Sequence, residues 1–347
     1  MMEQIKLFGS HDEIGLAIGE RFACQIHSFL DAYPFMQKLL AYHQTAGGKK
    51  RYRQYLNINR QRYPDYVIEL EGIARGAGRP FHHLFLVNMR GEYRDYLREH
   101  HLYGCSDLAV LTANNALIGH NEDGDIALAD TAYLVQAQVP GQPAFTAFSY
   151  PGFLCGNAFG FNSAGICFSV DNVRPRHIEI GIGRHFIARS LLAATSLEDA
   201  VARATAPGRA GGFSYTIGSA NERRIVVVET APGNRHHVRE VEGIYYHANH
   251  YLDVEMDEAE QHIGKSSRER VKRASELMQS KDDLDKGDVL AILNDCENEA
   301  FPICRTAVGE DSLATVCTAV FDFDRHQCHI NPGPVGKKAR PVTLAIL

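Results

Sequence analysis

The chain changes character within residues 103–125, which read YGCSDLAVLTANNALIGHNEDGD. Before this stretch, apolar residues recur at helical spacing, and Ser10 followed by Glu13 is the pattern of a helix N-terminus. After Cys105, short runs rich in β-branched and aromatic residues are separated by Gly, Pro, Asn and Asp, as in strands joined by turns. The sequence therefore predicts a switch from helices to strands between Gly104 and Cys105.

The order of the predicted elements indicates the fold class. Helices fill residues 1–104, and strands follow until two helices interrupt them over residues 184–204. After further strands, residues 257–296 are charged and helical, and strands return at the end of the chain. Segregated blocks of this kind favour an α+β class, two antiparallel sheets with helical layers outside, over a doubly wound parallel sheet. The switch at Cys105 divides one integrated domain into residues 1–104 and 105–347.

The composition argues against several classes of function. A formal charge of −6 does not suit a nucleic-acid partner, which requires a basic surface. No apolar stretch approaches the length of about 18 residues that a membrane span needs. The first residues, MMEQIKLFGSHDE, lack the apolar segment of a signal peptide, so a cytoplasmic location is expected. None of the eight cysteines forms a CxxC pair, and seven are expected to be packing residues.

The cysteine at the helix-to-strand switch has a specific chemical option. If the Gly104–Cys105 peptide is strained, the Cys105 thiol can attack the Gly104 carbonyl and move the acyl group from nitrogen to sulfur. Glycine leaves room around that carbonyl. Hydrolysis of the thioester would free the α-amine of Cys105, whose ordinary pKa of about 7.7–8.0 suits it to accept the thiol proton. A buried structural cysteine is the alternative interpretation.

Four further residues are candidates for the same site. Two adjacent antiparallel strands would bring Asp123 to Cys105, where its carboxylate could hold the new α-ammonium. Asn172 and Asn249 lie near predicted strand ends, where their amides could donate to a developing oxyanion without titrating. Arg305 could bind a carboxylate or assist self-cleavage. The structural alternatives are a polar turn for Asp123, turn or cap positions for the asparagines, and a surface salt bridge for Arg305.

The order and spacing of these residues resemble the penicillin acyltransferase family, over about residues 60 to 335. The chain departs from the family pattern at Ser106, where threonine is common, and at Glu122, where an aromatic residue is common. The motifs that carry the resemblance are Tyr103-Gly104-Cys105-Ser106, Gly119-His120-Asn121-Glu122-Asp123, Phe159-Gly160-Phe161-Asn162-Ser163-Ala164-Gly165-Ile166, Asn172, Ala248-Asn249-His250, Ile303-Cys304-Arg305 and Asn331-Pro332-Gly333.

The resemblance implies an αββα sandwich of the N-terminal-nucleophile type, made by autocatalytic cleavage of a precursor. It makes Cys105 the nucleophile and the new N-terminus, and Asp123 the residue that positions its amine. It makes Asn172 and Asn249 the oxyanion donors. Arg305 matches an arginine of processing or site structure.

The resemblance also implies how the pieces and the substrate are arranged. Residues 1–104 would become the α-subunit and residues 105–347 the β-subunit of an αβ heterodimer, with higher assembly left open. The expected substrate is a small N-acyl amide or acyl thioester, with acyl-coenzyme A as one donor, and no metal or organic cofactor is required. Because the sequence shows no basic cluster for the phosphates of coenzyme A, amide hydrolysis is favoured over acyl transfer.

Three other functions remain open on the sequence. The first is an unprocessed cysteine hydrolase that uses Cys105, His247 or His250, and Asn249. The second is a non-catalytic, ligand-binding member of the same fold. The third is a metal site at His247 and His250, which is disfavoured because this spacing on a strand directs two rings to opposite faces.

Overall fold

The computed structural model describes residues 2–97, 104–126, 131–259, 263–307, 313–333 and 340–346. Tyr103, in the first motif, lies outside these residues. In the described ranges of the chain, no helix is both long enough and apolar enough to cross a membrane.

One strand and a series of helices precede Cys105. The predicted capping box is confirmed, because the side chains of Ser10 and Glu13 each accept a hydrogen bond from the other's backbone N–H. The strand differs from the helical prediction for this region. Its residues EQIKLF alternate between half-buried and exposed, which is the period of a strand. The elements are β1 (Glu3–Phe8), α1 (His11–Arg21), α2 (Ala23–Ala32), α3 (Pro34–Gln44), α4 (Ala46–Arg62), α5 (Pro64–Gly76), α6 (Phe81–Asn88) and α7 (Arg90–Leu97).

The described residues after Cys105 follow the predicted order of strands, two helices, strands, helices and strands. A short strand, Phe159–Asn162, is added to the predicted ones. The elements are β2 (Ser106–Leu111), β3 (Ala116–Asp125), β4 (Tyr133–Gln138), β5 (Phe145–Ser149), β6 (Phe159–Asn162), β7 (Ile166–Asn172), α8 (Arg184–Leu191), α9 (Leu197–Ala204), β8 (Phe213–Ser219), β9 (Arg224–Thr230), β10 (His236–Glu240), β11 (Gly243–His247), a 3₁₀ helix (Val254–Ala259), α10 (Lys265–Met278), α11 (Lys286–Leu293), β12 (Leu313–Asp322), β13 (Gln327–Pro332) and β14 (Val342–Ala345).

The strands form two sheets that face each other. The first sheet has the order β1-β4-β5-β6-β7-β8-β9-β10, and the second has the order β11-β2-β3-β12-β13-β14. All neighbouring strands are antiparallel except β1 and β4, which are parallel. Strands β2 and β3 contact β7 across the interface, α9 covers the first sheet, and α10 and α11 cover the second. The predicted αββα sandwich of the α+β class is confirmed.

A buried ion pair joins the segments of the chain before and after Cys105. Glu69 on α5 and Arg189 on α8 are fully buried and are connected by two hydrogen bonds, of 2.9 and 2.8 Å. His11 adds a third hydrogen bond to Glu69 at 2.7 Å. Burial alone would raise the pKa of Glu69, but Arg189 and His11 outweigh it and lower the pKa to about 2. The N-terminal helices therefore belong to the common core.

Candidate active site

The pairing of β2 with β3 places Cys105 beside the acidic end of β3. Ser106 pairs with Asn121 in this antiparallel ladder, so the same register sets Cys105 opposite Glu122. Both strands are almost entirely buried, which fixes their register because a slip of one residue would exchange their two faces. The predicted juxtaposition of the two strands is therefore present, with Asp123 one position beyond Glu122.

The Cys105 thiol is enclosed and protonated. Its side chain lies in a cavity wall, and the residue is only 7% exposed. Sγ donates a hydrogen bond to Oε2 of Glu122 at 3.2 Å. Burial, reinforced by the charges of Glu122 and other nearby carboxylates, raises the pKa of the thiol well above its ordinary value. The thiol therefore needs a base before it can attack, and Glu122 is in contact with it.

Glu122 belongs to a buried chain of hydrogen bonds. Its Oε1 accepts a hydrogen bond from the Tyr150 hydroxyl at 2.8 Å, and its Oε2 lies 3.3 Å from Nε2 of His120. The other ring nitrogen of His120 lies 2.6 Å from Oδ1 of Asp107. Burial would lower the pKa of His120, but the two carboxylates outweigh it and raise the pKa to about 10. A charged imidazolium thus lies between Asp107 and Glu122. The sequence prediction treated Glu122 only as a departure from the family pattern.

Arg270, a residue that the sequence prediction missed, holds the peptide on which Cys105 lies. Its Nη1 donates to the Cys105 carbonyl at 2.5 Å and to the Ser106 hydroxyl at 2.7 Å, and its Nη2 donates to Oδ1 of Asn249 at 2.5 Å. A Cβ atom added at Gly104 would lie 2.5 Å from Arg270 Nη2 and 2.9 Å from Asn249 Oδ1. A larger residue at the predicted cleavage site would therefore have to displace the side chains of Arg270 and Asn249. No signal in the sequence separates Arg270 from the solvent-facing charges of α10.

The two candidate oxyanion asparagines are in contact. Nδ2 of Asn249 donates to the backbone carbonyl of Asn172 at 3.0 Å. Oδ1 of Asn172, a cavity residue, accepts from Nη1 of Arg184 at 2.5 Å. That bond orients the amide and leaves Nδ2 of Asn172 without a partner among the described residues. Asn249 also has a second N–H that none of the described residues uses. Each asparagine thus retains donor capacity, and that of Asn172 lies in the cavity wall.

Asp123 and Arg305 meet through a shared threonine. The Thr315 hydroxyl donates to Oδ1 of Asp123 at 2.7 Å and accepts from the backbone N–H of Arg305 at 2.9 Å. Oδ2 of Asp123 is buried and has no hydrogen-bond partner among the described residues. Burial raises the pKa of Asp123 to about 7, although the charges of Arg270 and Arg305 oppose the rise. Asp123 lines the cavity with Cys105, whereas Arg305 lies outside the cavity wall and is linked to Asp123 through Thr315.

The raised pKa of Asp123 predicts a pH-dependent stability. The pKa of Asp123 is about 7 in the folded chain against an ordinary value of 3.8. The free energy of unfolding is therefore highest at low pH, where the carboxyl is protonated in both states, and falls as the pH rises to about 7. Between pH 4 and pH 8 the loss is on the order of 4 kcal/mol. We expect Asp123→Asn, compared with its parent in a Cys105→Ala background, to gain relative stability over this range. Thermal unfolding at pH 5 and pH 8 checks this, and an equal difference at both pH values would contradict it.

The cavity contains a basic cluster that was not predicted from the sequence. The cavity has a volume of about 140 Å³, and its wall includes Cys105, Asp123 and Asn172. Cys105 is the only cysteine in this wall among the described residues. Four arginines, separated along the chain, also line it: Arg90, Arg94, Arg174 and Arg184. The sequence showed no basic cluster for the phosphates of coenzyme A, and these four arginines come together only in the fold.

The histidines of the alternative Cys-His-Asn arrangement lie away from the cavity wall. Nδ1 of His247 lies 2.8 Å from Asp171, and its Nε2 lies 3.1 Å from Glu229. Burial would lower the pKa of His247, but the two carboxylates raise it to about 10, so this ring stays protonated and cannot accept a proton. His250 is hydrogen-bonded to Ser267 at 2.7 Å. The described residues do not bring either ring to Cys105.

Two groups of side chains near Cys105 have metal-ligand chemistry. Cys105, His120 and Glu122 hold their ligand atoms within 4.8 Å of one another, as do Asp107, His120 and Asp171. Both groups share His120, whose two ring nitrogens are already hydrogen-bonded to carboxylates. A metal ion would have to displace the His120 proton, so these residues fit a proton-bearing network better than a metal site.

Comparison with known proteins relates this geometry to a family. The family model described as acyl-coenzyme A:6-aminopenicillanic acid acyl-transferase matches residues 110–333, beginning on β2 just after Cys105. The beta-alanyl-dopamine/carcinine hydrolase of Drosophila melanogaster is 28% identical over 345 residues, which cover 91% of this chain and 88% of that protein. The acyl-coenzyme A:6-aminopenicillanic-acid-acyltransferase 40 kDa form of Emericella nidulans is 28% identical over 203 residues, 58% of this chain and 56% of that protein.

Solved structures show a weaker likeness. A mutant of the conjugated bile acid hydrolase from Clostridium perfringens has a TM-score of 0.46 and 15% identity, over 70% of this chain and 92% of that one. The Caenorhabditis elegans ortholog of N-acylethanolamine-hydrolyzing acid amidase has a TM-score of 0.44 and 13% identity, over 63% of this chain and 93% of that one. The family match, by contrast, spans more than half of the chain. The chain belongs to the acyl-coenzyme A:6-aminopenicillanic acid acyl-transferase family, and it is an enzyme of carbon–nitrogen bond chemistry, a hydrolase or an acyltransferase.

Proposed function

We propose that the protein cleaves itself between Gly104 and Cys105 and then hydrolyses a small N-acyl amide through a thioester on Cys105. One observation carries this proposal. The Cys105 thiol lies in the cavity wall in contact with the Glu122 carboxylate, while Arg270 fixes its peptide from the other side. The contacts supply a nucleophile, a proton acceptor and an arginine that holds the Cys105 carbonyl next to the bond to be cut.

Self-cleavage in the intact chain needs a base other than the α-amine, which is still bound in a peptide. Sγ of Cys105 attacks the carbonyl carbon of Gly104 as the thiol proton moves to Glu122. The tetrahedral intermediate then loses the amide nitrogen, which takes up that proton and becomes the α-amine of Cys105. Water hydrolyses the resulting thioester, restoring the thiol and leaving a carboxylate on Gly104. His120, charged and hydrogen-bonded to Glu122, stabilises the carboxylate before the transfer.

Turnover uses the amine released by this cleavage. The α-amine accepts the thiol proton, Sγ attacks the substrate carbonyl, and the protonated amine then donates to the leaving nitrogen. Asn172 and Asn249 supply donors to the oxyanion, and each donor of this kind is worth about 100-fold or more in rate. Oδ2 of Asp123, a buried acceptor with no hydrogen bond among the described residues, suits the ammonium form. Water finally releases the acid and restores the thiol.

Replacing Glu122 tests its role in self-cleavage. Glu122→Gln keeps an oxygen and an amide that can bond to Tyr150 and Cys105, but it cannot accept the thiol proton. We expect the rate of appearance of the two pieces to fall by about 100-fold, the usual contribution of a general base. Denaturing mass spectrometry of freshly made protein over time measures this rate. Tyr150→Phe, which removes one hydrogen bond to Glu122 and keeps its charge, is the matched control. Equal rates in the Gln variant and the wild type would rule out Glu122 as the base.

The enzymatic step is tested by trapping the acyl group. Purified, processed protein is mixed with a panel of N-acyl amides and acyl thioesters and quenched in acid within the first turnovers. The expected result is an acyl mass increment on the residue 105–347 piece, mapped to Cys105 by peptide sequencing. Turnover without any adduct on Cys105, or no turnover across both substrate classes, would contradict the proposal. Transfer of the trapped group to an added amine in preference to water would assign acyl transfer in place of hydrolysis.

A further inference from the structure

The cavity wall is divided by the sign of its charges. Strand β3 contributes Glu122, Asp123 and Asp125 beside Cys105, while the arginines come from other elements. Arg90 and Arg94 lie on α7, one helical turn apart, so their side chains share a face. The other two arginines follow β7 and begin α8. They are Arg174 and Arg184.

The arginines form one cluster. Burial, together with the neighbouring charges of Arg94 and Arg184, lowers the pKa of Arg174 to about 10. Arg184 and Arg90 in turn flank His185, whose pKa burial and these two charges hold well below its usual range. Positive charge is therefore concentrated in a region of the cavity where water is scarce, which increases its attraction for an anion.

The acidic partners of the cluster are already assigned to particular arginines. Glu92 accepts from Nε of Arg184 at 3.2 Å, and Asp95 accepts from Nε of Arg94 at 3.2 Å. Arg90 differs, because its Nη1 lies 2.9 Å from Nε2 of His185, a neutral imidazole. Among the described residues, no carboxylate lies within ion-pair distance of Arg90. One anionic group from outside the protein would balance it.

Aromatic rings pack against the guanidinium groups of Arg90 and Arg184 and hold them in position. The Arg90 guanidinium lies 4.4 Å from the centroid of the Phe153 ring, and that of Arg184 lies 4.3 Å from the centroid of the Phe213 ring. Stacking on a ring leaves the in-plane N–H groups of a guanidinium available for a planar oxyanion. A carboxylate is such a group, and guanidinium and carboxylate bind each other by two parallel hydrogen bonds.

We propose that the arginine cluster is a subsite for a carboxylate on the substrate, so that the enzyme acts on N-acyl compounds that carry a free carboxylate. This inference rests on the proposed amide hydrolysis at Cys105. The carboxylates of β3 repel the substrate carboxylate from the part of the cavity that holds Cys105. The positive charge of Arg90 attracts it to the arginine cluster. Arg184 also binds Asn172, the candidate oxyanion donor, so the subsite adjoins the reacting carbonyl. The charge division thus orients the substrate.

The test compares two substrates that differ only in this charge. Processed wild-type protein is assayed with N-phenylacetylglycine and with its neutral analogue N-phenylacetylglycinamide. A charge-assisted contact predicts a kcat/KM about 10- to 100-fold higher for the carboxylate, through a lower KM. In Arg90→Gln this preference should disappear because kcat/KM falls more for the carboxylate than for the neutral analogue, and Arg90→Lys should recover some of it. Arg75→Gln, at a surface pair with Asp12, is the control that should behave as wild type.

A second readout does not need turnover. Phenylacetate, but not phenylacetamide, should slow the alkylation of Cys105 by iodoacetamide, and Arg90→Gln should abolish the protection. The subsite would be overturned if wild type showed equal kcat/KM for the two substrates, or if Arg90→Gln lowered both values equally. It would also be overturned if phenylacetate did not slow the alkylation of Cys105. A preference for phenylacetyl-coenzyme A that depends on Arg90 would assign the cluster to phosphate instead. If only the subsite proposal is wrong, the acyl adduct on Cys105 still forms. If the proposed function is wrong, no substrate gives that adduct.

Discussion

Cys105→Ala is expected to leave one full-length chain of 38.6 kDa and no detectable turnover. The wild type, with 104 of its 347 residues before the cleavage point, should give pieces of about 11.6 and 27 kDa. The reason is that the variant lacks the sulfur that attacks in both the processing step and the catalytic step. Denaturing mass spectrometry of the purified proteins measures the first effect, and the amide panel measures the second.

A second cysteine provides the control for this variant. Cys328→Ala removes an equally buried thiol from β13, outside the cavity wall, and should still yield both pieces and full activity. Two pieces in Cys105→Ala would eliminate Cys105 as the processing nucleophile. An intact wild type that nevertheless turns over amides would support the unprocessed cysteine hydrolase.

Arg189→Met is expected to lower the free energy of unfolding by about 3–5 kcal/mol, because it leaves the Glu69 carboxylate without its arginine partner in a fully buried site. His11 remains in contact with Glu69, but the two hydrogen bonds from Arg189 are lost. Urea unfolding in the Cys105→Ala background measures the change without interference from cleavage. Adding Glu69→Gln should recover much of the loss, because the unpaired charge is then removed.

The matched control for Arg189→Met is Arg60→Met. Arg60 pairs with Glu71 at the surface, where its side chain is 52% exposed, and such pairs contribute about 0–1 kcal/mol. Similar losses in the two single variants would show that burial of the Arg189 pair does not set its contribution. If the chain is cut before Cys105, Arg189→Met should also promote separation of the two pieces, since the pair joins them.

The elements of the fold that depend on local pattern were predictable from sequence. The capping box at Ser10 and the short β-type runs of β2 and β3 depend on residues close in the chain, and the structure contains them as predicted. Strand β1 was not predictable in this way, because it forms by pairing with β4 across the whole helical region. A strand that adds to a sheet edge is stabilised by partners that no short window of sequence contains.

The residues of the candidate site also fall into those that local sequence predicts and those that only the tertiary fold brings together. Asp123 was found because it shares a two-strand ladder with Cys105. Arg270 was not, since α10 reads as an exposed charged helix and only the tertiary fold buries it to 1% exposure. The arginine cluster escaped notice because its members are spread from α7 to α8. Glu122 was visible as an unusual residue, but its hydrogen-bond chain with His120 and Asp107 depends on side-chain packing that sequence does not encode locally.

The segment before Cys105 contributes to both the fold and the cavity. Strand β1 forms the edge of the first sheet, and helix α7 carries Arg90 and Arg94 of the cavity wall. If the chain is cut before Cys105, the nucleophile and half of the arginine cluster reside on separate polypeptides. Substrate preference then becomes a property of the complex of the two pieces, because neither polypeptide alone carries the complete cavity wall.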